Sequence, residues 1–485
     1  MKKTWIYLLL VLALSLPACK KILDIDRSTT NSTAPVTVED FDQMLNNPDI
    51  CDARNYNLID YPTDDILLDN AASFDPFYLG DLNPWEKHNL GFGDEGDVLY
   101  PKFYKWIAQM NLVINNMPVA RPEGQFNDKR AVAIAQAKIN RAYFYLQLVN
   151  VYGAAYQAAS AGTDLAVPLI LKVDNQVSYP RASIEKVYQQ ILTDLKDALA
   201  TPELPDVQPG KNIIRPGRAA ALALLARTYL YMGNYTQAEK AASDALAIKS
   251  DLQSYLGYGA PASGGRLLSL YEQRNNPEVL LARVSFFPSA QATGLSGVIY
   301  GNSEFLNLFD KINDKRYTAT YSRQEDPNFP TIIMYRYDFG IRLGGSDGGT
   351  YMNYSIGVPE IMLIKAECLA RANDAAGAVN LLNTLRVKRI LNYTNLSTSV
   401  TPDQALRLVL DERRRELTFK GIRLFDLKRL NLDSRFKKDI IRRNNVTNEY
   451  MLTFPAGSPN FVFPFSQATL NANPLLVQNP RVQLN

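Results

Sequence analysis

Apolar residues return every three or four positions through several long stretches, and that spacing predicts helices. Thr37-x-x-Asp40 resembles a capping box in front of Phe41, Met44 and Leu45. Between residues 127 and 152, Ala135, Ile139, Ala142, Leu146 and Val149 fall on one helical face. Ser183 opens a further helix carrying Val187, Ile191, Leu195 and Ala198, and Pro205, Pro209 and Gly210 break the chain after it. Arg215-Pro216-Gly217 leads into a run from Ala219 to Met232 whose polar interruptions are Arg227 and Thr228. Gly233-Asn234-Tyr235 then reads as a tight turn, and a second helix is predicted from about Thr236 to Ile248. Two helices joined in this way form an αα-hairpin.

The hairpin resembles the tetratricopeptide pattern. Leu225, Ala226 and Tyr229 take its first-helix places, and Ala238, Ala242 and Ala245 its second-helix places, where small residues let the helices approach. A second match pairs Ala366 and Leu369 with Ala378, Leu382 and Leu385 at the same offsets. A weaker third begins at Ala142 and Tyr145. The matches are not tandem, so a fused scaffold is expected rather than a free solenoid. Two insertions interrupt the helices. Residues 61–100 are rich in Asp, Gly, Pro and aromatics, and residues 252–353 in Gly, Ser, Tyr and Phe. Val279–Val284 and Ile332–Tyr337 are strand-like runs within the second. The fold class expected is mostly α: a tetratricopeptide-like helical-hairpin scaffold with loop-rich insertions containing a few short strands. Binding is expected in the insertions, since loops on a rigid scaffold commonly carry function.

The N-terminus changes the picture of where the protein works. Lys2 and Lys3 precede an apolar run from Trp5 to Leu16, shorter than the roughly 20 residues a spanning helix needs. This is the pattern of a signal peptide. The run ends in Leu16-Pro17-Ala18-Cys19, which looks like the lipobox of bacterial lipoproteins, where the Cys is acylated and becomes the first residue. The expected organisation is a signal peptide over 1–18, a lipid anchor and polar tether over 19–36, and a single domain over 37–485. The residues after Cys19 are Lys20 and Lys21, so no inner-membrane retention signal is evident.

Composition then removes whole chemistries. The net charge is +3 over 485 residues, which leaves no electrostatic footprint for nucleic acid. A single histidine, His88, in a polar Glu86-Lys87-His88-Asn89 context, excludes a multi-His zinc site, and no Ser-His-Asp triad forms without it. Of the three cysteines, Cys19 is the expected lipid site. Cys368 falls in a predicted helix and reads as a small buried hydrophobe rather than as a disulfide partner for Cys51.

With these elements in place, the motifs resemble the SusD/RagB family of nutrient-binding outer-membrane lipoproteins. Arg141-Ala142-Tyr143-Phe144-Tyr145 running on to Tyr152-Gly153 is similar to the family's Arg-Ala-x-x-Tyr helix. Arg218-Ala219-Ala220-Ala221 through Gly233-Asn234-Tyr235-x-x-Ala238 is similar to its first hairpin, and Pro359-Glu360-Ile361 through Leu382-Asn383-x-x-Arg386 to the next. Glu412-Arg413-Arg414-x-Glu416 through Asp426-Leu427-Lys428-Arg429 is the most specific block. Phe463-Pro464 and Gln478-Asn479-Pro480 complete the set. Lys420 stands where the family usually has Glu, and Leu424 where an aromatic is usual. The resemblance implies a non-enzymatic protein on the outer surface of the outer membrane. It would lie as a lid over a SusC-like TonB-dependent transporter and hold an oligosaccharide or polysaccharide, with peptide capture as the alternative. No cofactor is implied.

Read from its own residues, the Glu412–Arg429 block is a salt-bridge network with acids and bases at i,i+3 and i,i+4, on a helix capped by Thr401-Pro402-Asp403-Gln404. Glycan capture needs flat aromatic faces and polar side chains for hydroxyls. Tyr78, Asn83 and Trp85 supply both in one Pro-punctuated loop, and Tyr300, Asn302, Tyr337 and Tyr351 are secondary candidates. The competing reading of each aromatic is that it packs its loop on the scaffold. Trp106 lies beside Ile107 and Met110 and reads as core. Gly93-Asp94-Glu95-Gly96-Asp97 reads as a turn rather than a calcium loop, because EF-hand spacing and a closing Glu are missing. Residues 344–349 read as a flexible Gly-rich loop. A glycosidase needs only two carboxylates, so it stands as the rival from another class; nothing in the sequence points to it.

Overall fold

The computed structural model describes residues 34–51, 59–60, 62–67, 99–122, 129–173, 178–208, 214–257, 276–287, 300–318, 321–325, 333–337, 350–443 and 450–482. The longer helices are α1 (Val38–Met44), α2 (Leu99–Asn116), α3 (Arg130–Tyr152), α4 (Ile184–Leu199), α5 (Arg218–Tyr231), α6 (Tyr235–Ile248), α7 (Val358–Arg371), α8 (Ala375–Arg386), α9 (Pro402–Glu416) and α10 (Arg423–Leu430). Their starts follow capping chemistry. Thr37 and Asp40 form the expected reciprocal box at α1, Ser183 accepts from the Lys186 amide at α4, and Thr401 with Gln404 boxes α9 behind Pro402.

From α2 to α9 each helix packs against the next in chain order. This holds even from α6 to α7, across the long insertion, so the scaffold is a continuous stack of helices. The small residues placed at the hairpin seams are buried: Ala226, Ala238, Ala242 and Ala245 in one hairpin, Ala366 and Ala378 in the other. Trp106 is buried in the core, and Cys51 and Cys368 are both buried and not bonded to each other; an Arg283 guanidinium nitrogen lies 3.9 Å from the Cys51 sulfur.

The two hairpin turns are built alike. Gly233 has φ +71°, its amide donates to the Leu230 carbonyl, and the Asn234 amide donates to the Tyr229 carbonyl. That is a Schellman ending, and Asn234 then caps α6 through the Gln237 amide. Asn373 (φ 69°) and Asp374 repeat the arrangement between α7 and α8, with Asn taking the left-handed position without a glycine.

Buried arginines lock successive hairpins. Arg141 of α3 reaches both oxygens of Asp194 on α4 at 2.8 and 2.7 Å and Asn111 of α2 at 2.8 Å. Arg227 of α5 takes both oxygens of Glu360 on α7 at 2.6 and 2.5 Å. Bidentate pairing of this kind fixes orientation as well as distance. The C-terminal motif residues close the far end. Gln478 exchanges two hydrogen bonds with the Phe465 backbone, and Asn479 donates to the carbonyls of Tyr152 and Phe463. Lys428 donates to the carbonyls of Asn150 and Gly153 at the end of α3, where a helix leaves acceptors unfilled. Burial pulls its ammonium down to about 7.

The strands are short: β1 (Ile66–Leu67), β2 (Val279–Leu281), β3 (Val284–Phe287), β4 (Tyr300–Gly301), β5 (Tyr321–Glu325), β6 (Ile333–Tyr337), β7 (Thr350–Asn353), β8 (Ile356–Gly357), β9 (Ile440–Arg443) and β10 (Tyr450–Phe454). β2 with β8 and β3 with β7 pair antiparallel and zip the two ends of the second insertion into a neck that runs straight into α7. Arg283, fully buried, fastens that neck to α3 by reaching Asn140 and lying over the Tyr143 ring at 4.7 Å. A four-stranded sheet in the order β1-β4-β6-β5 joins the first insertion to the second. Among the described residues no helix is long and apolar enough to cross a membrane.

Candidate functional site

The two insertions are stitched together at their roots. Ile66 pairs with Gly301 and Leu67 with Tyr300, and the Asn302 amide donates to the Asp65 carbonyl at 2.8 Å. Behind this junction, Asp64 receives Arg423 at 2.7 and 2.9 Å, Arg414 at 3.0 Å and Lys438 at 2.7 Å. Asp65 receives Arg414 at 2.5 Å. Glu304, just after Asn302, receives Arg414 at 3.3 Å and also Lys438. Arg414 therefore holds one acid from the second insertion and two from the first, and its guanidinium lies 5.5 Å above the Phe305 ring. Phe305, Phe309, Tyr317 and Tyr321 form an aromatic ladder that leads to β5.

Burial pushes Asp64 upward, but Arg423, Arg414 and Lys438 outweigh it and hold the carboxyl well below its usual range. Asp65, also buried, is raised despite Arg414, with the neighbouring Asp64 charge adding to burial. Asp60 stands one step further back. It accepts from the Tyr354 hydroxyl at 2.9 Å and from the Gly421 amide at 3.1 Å, and burial pushes it up to about 7. Gly421 sits at φ 66°, a position that favours glycine and that lets the backbone between α9 and α10 meet this carboxyl.

The rest of the charge block is structural. Glu412 binds Arg316, Arg386 and Arg415, while Glu416 binds Arg316 and Arg389. Asp426 binds Arg413 and Arg429, and Glu367 binds Arg371 and Arg429. The network expected from the sequence is present, but local spacing explains little of it. Arg415–Glu412 and Arg429–Asp426 are i,i+3 pairs, whereas most of the block's partners lie on other elements. Glu412, Glu416 and Asp426 are each matched by arginines inside the fold, the pattern of a structural ion-pair network.

Among the predicted ligand residues, Tyr78, Asn83 and Trp85 lie outside the described residues, as do Cys19 and His88 and the loops 93–97 and 344–349. Tyr300 and Tyr337 belong to one sheet, since Tyr300 pairs with Arg336, the neighbour of Tyr337. Tyr351 belongs to the neck, opposite Phe286. Asn302 is half-buried, and its side-chain oxygen caps the short helix Ser303–Leu306 by accepting from the Glu304 amide at 2.9 Å. The structure thus places Tyr300 and Tyr337 on neighbouring strands of one sheet, with Asn302 directly after β4, and Tyr351 on a separate ribbon. Sequence reasoning missed Asp64, Asp65 and Glu304. The only available signal was three acids flanking the insertions of a protein whose most specific motif is rich in arginine.

Comparison with known proteins agrees with this architecture. A family model described as "Starch-binding associating with outer membrane" matches residues 26–230, and that of the SusD family matches residues 346–481. The chain is 26% identical over 410 residues to a SusD-like protein P2 of Formosa agariphila, spanning 72% of this chain and 74% of that one. A crystal structure of a putative sugar binding protein from Bacteroides vulgatus superposes with a TM-score of 0.69 at 20% identity, covering 93% of this chain and 99% of that one. A SusD superfamily protein from Bacteroides thetaiotaomicron gives 0.69 at 21% identity, covering 92% and 100%. Family models at both ends, a related SusD-like sequence and a shared fold along the length together place this chain in the SusD/RagB family.

Proposed function

We propose that this protein is a cell-surface lipoprotein, anchored to the outer membrane through Cys19, that captures an oligosaccharide or polysaccharide and delivers it to a partner TonB-dependent transporter without chemically changing it. The observation that carries the reading is the joined root of the two insertions. One stretch of sheet and one arginine, Arg414, tie the segment leading to Tyr78, Asn83 and Trp85 to the segment carrying Tyr300, Asn302 and Tyr337. Aromatic faces cover the C–H surfaces of sugar rings, and amides and hydroxyls meet their hydroxyl groups. A rigid helical stack beneath such a site lowers the ordering cost of binding. Proteins of similar fold are described as sugar binding and carbohydrate binding, which supports the same ligand class here.

The test is a retention screen on native gels containing soluble polysaccharides, with peptides followed in parallel by calorimetry. At least one polysaccharide is expected to retard the protein and to be recovered unhydrolysed. Trp85→Ala is expected to weaken that retention about tenfold or more, the loss of about 1.4 kcal/mol or more. Heat from peptides with no retardation by any glycan would transfer the site to peptide capture. Release of shorter saccharides by the purified protein would make it an enzyme.

A further inference from the structure

We propose that a pocket of about 390 Å³ on the helical scaffold, walled by Tyr156, Tyr231, Tyr235, Arg371, Asp433 and Ser434, holds one sugar unit of a hydroxyl-rich ligand. The proposal rests on the glycan-binding reading above and adds a contact on elements that carry none of the loop candidates. The pocket forms where the ends of α5 and α7 and the segment after α10 meet the start of α6.

Its charges are matched. Arg371 donates to Glu367 at 2.9 Å and to Asp433 at 3.3 Å. Arg429 takes both Glu367 oxygens, at 2.6 and 2.8 Å, and Asp426 at 2.8 Å. Asp433 also accepts from Arg435 at 2.8 and 3.0 Å. A charged ligand entering here would lose hydration without finding an unmatched counter-charge, so a neutral ligand is favoured. Arg371 and Asp433 set a donor beside an acceptor. Adjacent ring hydroxyls, each able to donate and accept, suit such a pair. Among the described residues, Leu230 and Leu432 are the pocket's only aliphatic wall, too little for a purely apolar ligand.

The rings are fixed before any ligand arrives. Tyr156 donates its hydroxyl to Glu185 at 2.6 Å, and Tyr235 lies under the Arg371 guanidinium at 4.6 Å. Pinned rings lose little freedom on binding. The volume lies at the small end of the roughly 300–1,000 Å³ of ligand pockets, which suits one sugar ring rather than a long chain.

The experiment uses the purified protein with D-glucose, D-galactose, D-mannose, L-rhamnose and their common disaccharides, by saturation-transfer NMR and by soaking crystals. A ring is expected between Tyr156 and the Arg371–Asp433 pair. Its transfer signal should fall about tenfold in Ser434→Trp, where an indole placed at an exposed position fills the pocket. Leu432→Trp, also exposed, is the second blocking variant and guards against a folding defect in the first. Trp85→Ala should leave the pocket signal intact. If no member of the panel occupies the pocket, or if neither Trp variant changes the transfer, the proposal falls. Polysaccharide retention that depends on Trp85 would survive that outcome, so the loop site and the scaffold site fail separately.

Discussion

Asp60 is held by a phenol and an amide rather than by a cation. Its carboxyl is fully buried and titrates near 7 instead of 3.8, because burial penalises the charge more than Tyr354 and Gly421 relieve it. A folded-state value above the unfolded one means that the folded protein binds more protons between pH 3.8 and 7. The stabilisation is complete below the lower value and is lost as pH rises through the upper one. Asp60→Asn keeps the shape and one acceptor but cannot ionise. It should raise the thermal midpoint at pH 7 to 8, by on the order of 2–4 kcal/mol of stability, and flatten the decline from pH 4 to pH 8. Parallel slopes for the two proteins would show that Asp60 does not titrate in that window. Nothing in the sequence around Asp60 announces this, since the group it meets at Gly421 is 361 positions away. Trp106 and Cys368, by contrast, were readable as core from their helical neighbours.

At the scale of elements, the helices and their caps were legible because capping and apolar spacing act within a few residues. The Gly233-Asn234 turn and the boxes at Thr37 and Thr401 are of this kind. The root of the insertions was not, because it depends on Arg414 meeting acids some 350 and 110 positions away. That distance makes Arg414 the sharpest test of the junction. Arg414→Met keeps the aliphatic stem over Phe305 but leaves Asp65 with only the more distant Arg423, 3.9 Å away. Removing one partner of a buried pair costs about 3–5 kcal/mol. The variant should lose stability of that order and weaken glycan retention. Tyr354→Phe, which removes only the hydroxyl bonded to Asp60, serves as a comparison. If Arg414→Met melts lower yet retains polysaccharide on gels as the wild type does, Arg414 supports the fold without positioning the ligand face.

For the whole molecule, the stack from α2 to α9 continues across the second insertion, so the neck of β2, β3, β7 and β8 has to return the chain to α6 before α7 begins. The sequence showed hairpin matches far apart and predicted a fused scaffold; the strand-like run at Val279–Val284 marked one side of the neck, but its pairing with β7 and β8, some 70 positions on, was not legible. The same scaffold contains two populations of buried carboxyls with opposite pH behaviour. Asp60, Asp65, Glu278 and Asp411 are raised, each chiefly by burial, so they favour the folded state as pH falls toward their unfolded values. Asp64, Glu367, Glu412, Glu416 and Asp426 are pushed up by burial but held down more strongly by arginines. Their contribution is present above their unfolded values and is lost as pH falls through the folded ones. The carboxyls should therefore make stability peak between about pH 4 and pH 6 and drop steeply below it, with several protons taken up on unfolding, while Lys428, pulled down to about 7 by burial, returns some stability as pH rises above 7. Added salt at neutral pH should shift the midpoint little, because screening reaches exposed pairs far more than buried ones. Calorimetric melts from pH 2 to pH 9 at fixed ionic strength measure both limbs. A midpoint that holds level down to pH 2 would mean the arginine–carboxylate network does not stabilise the fold. A midpoint that falls steadily from pH 7 downward would mean the raised carboxyls are already ionised in the folded protein.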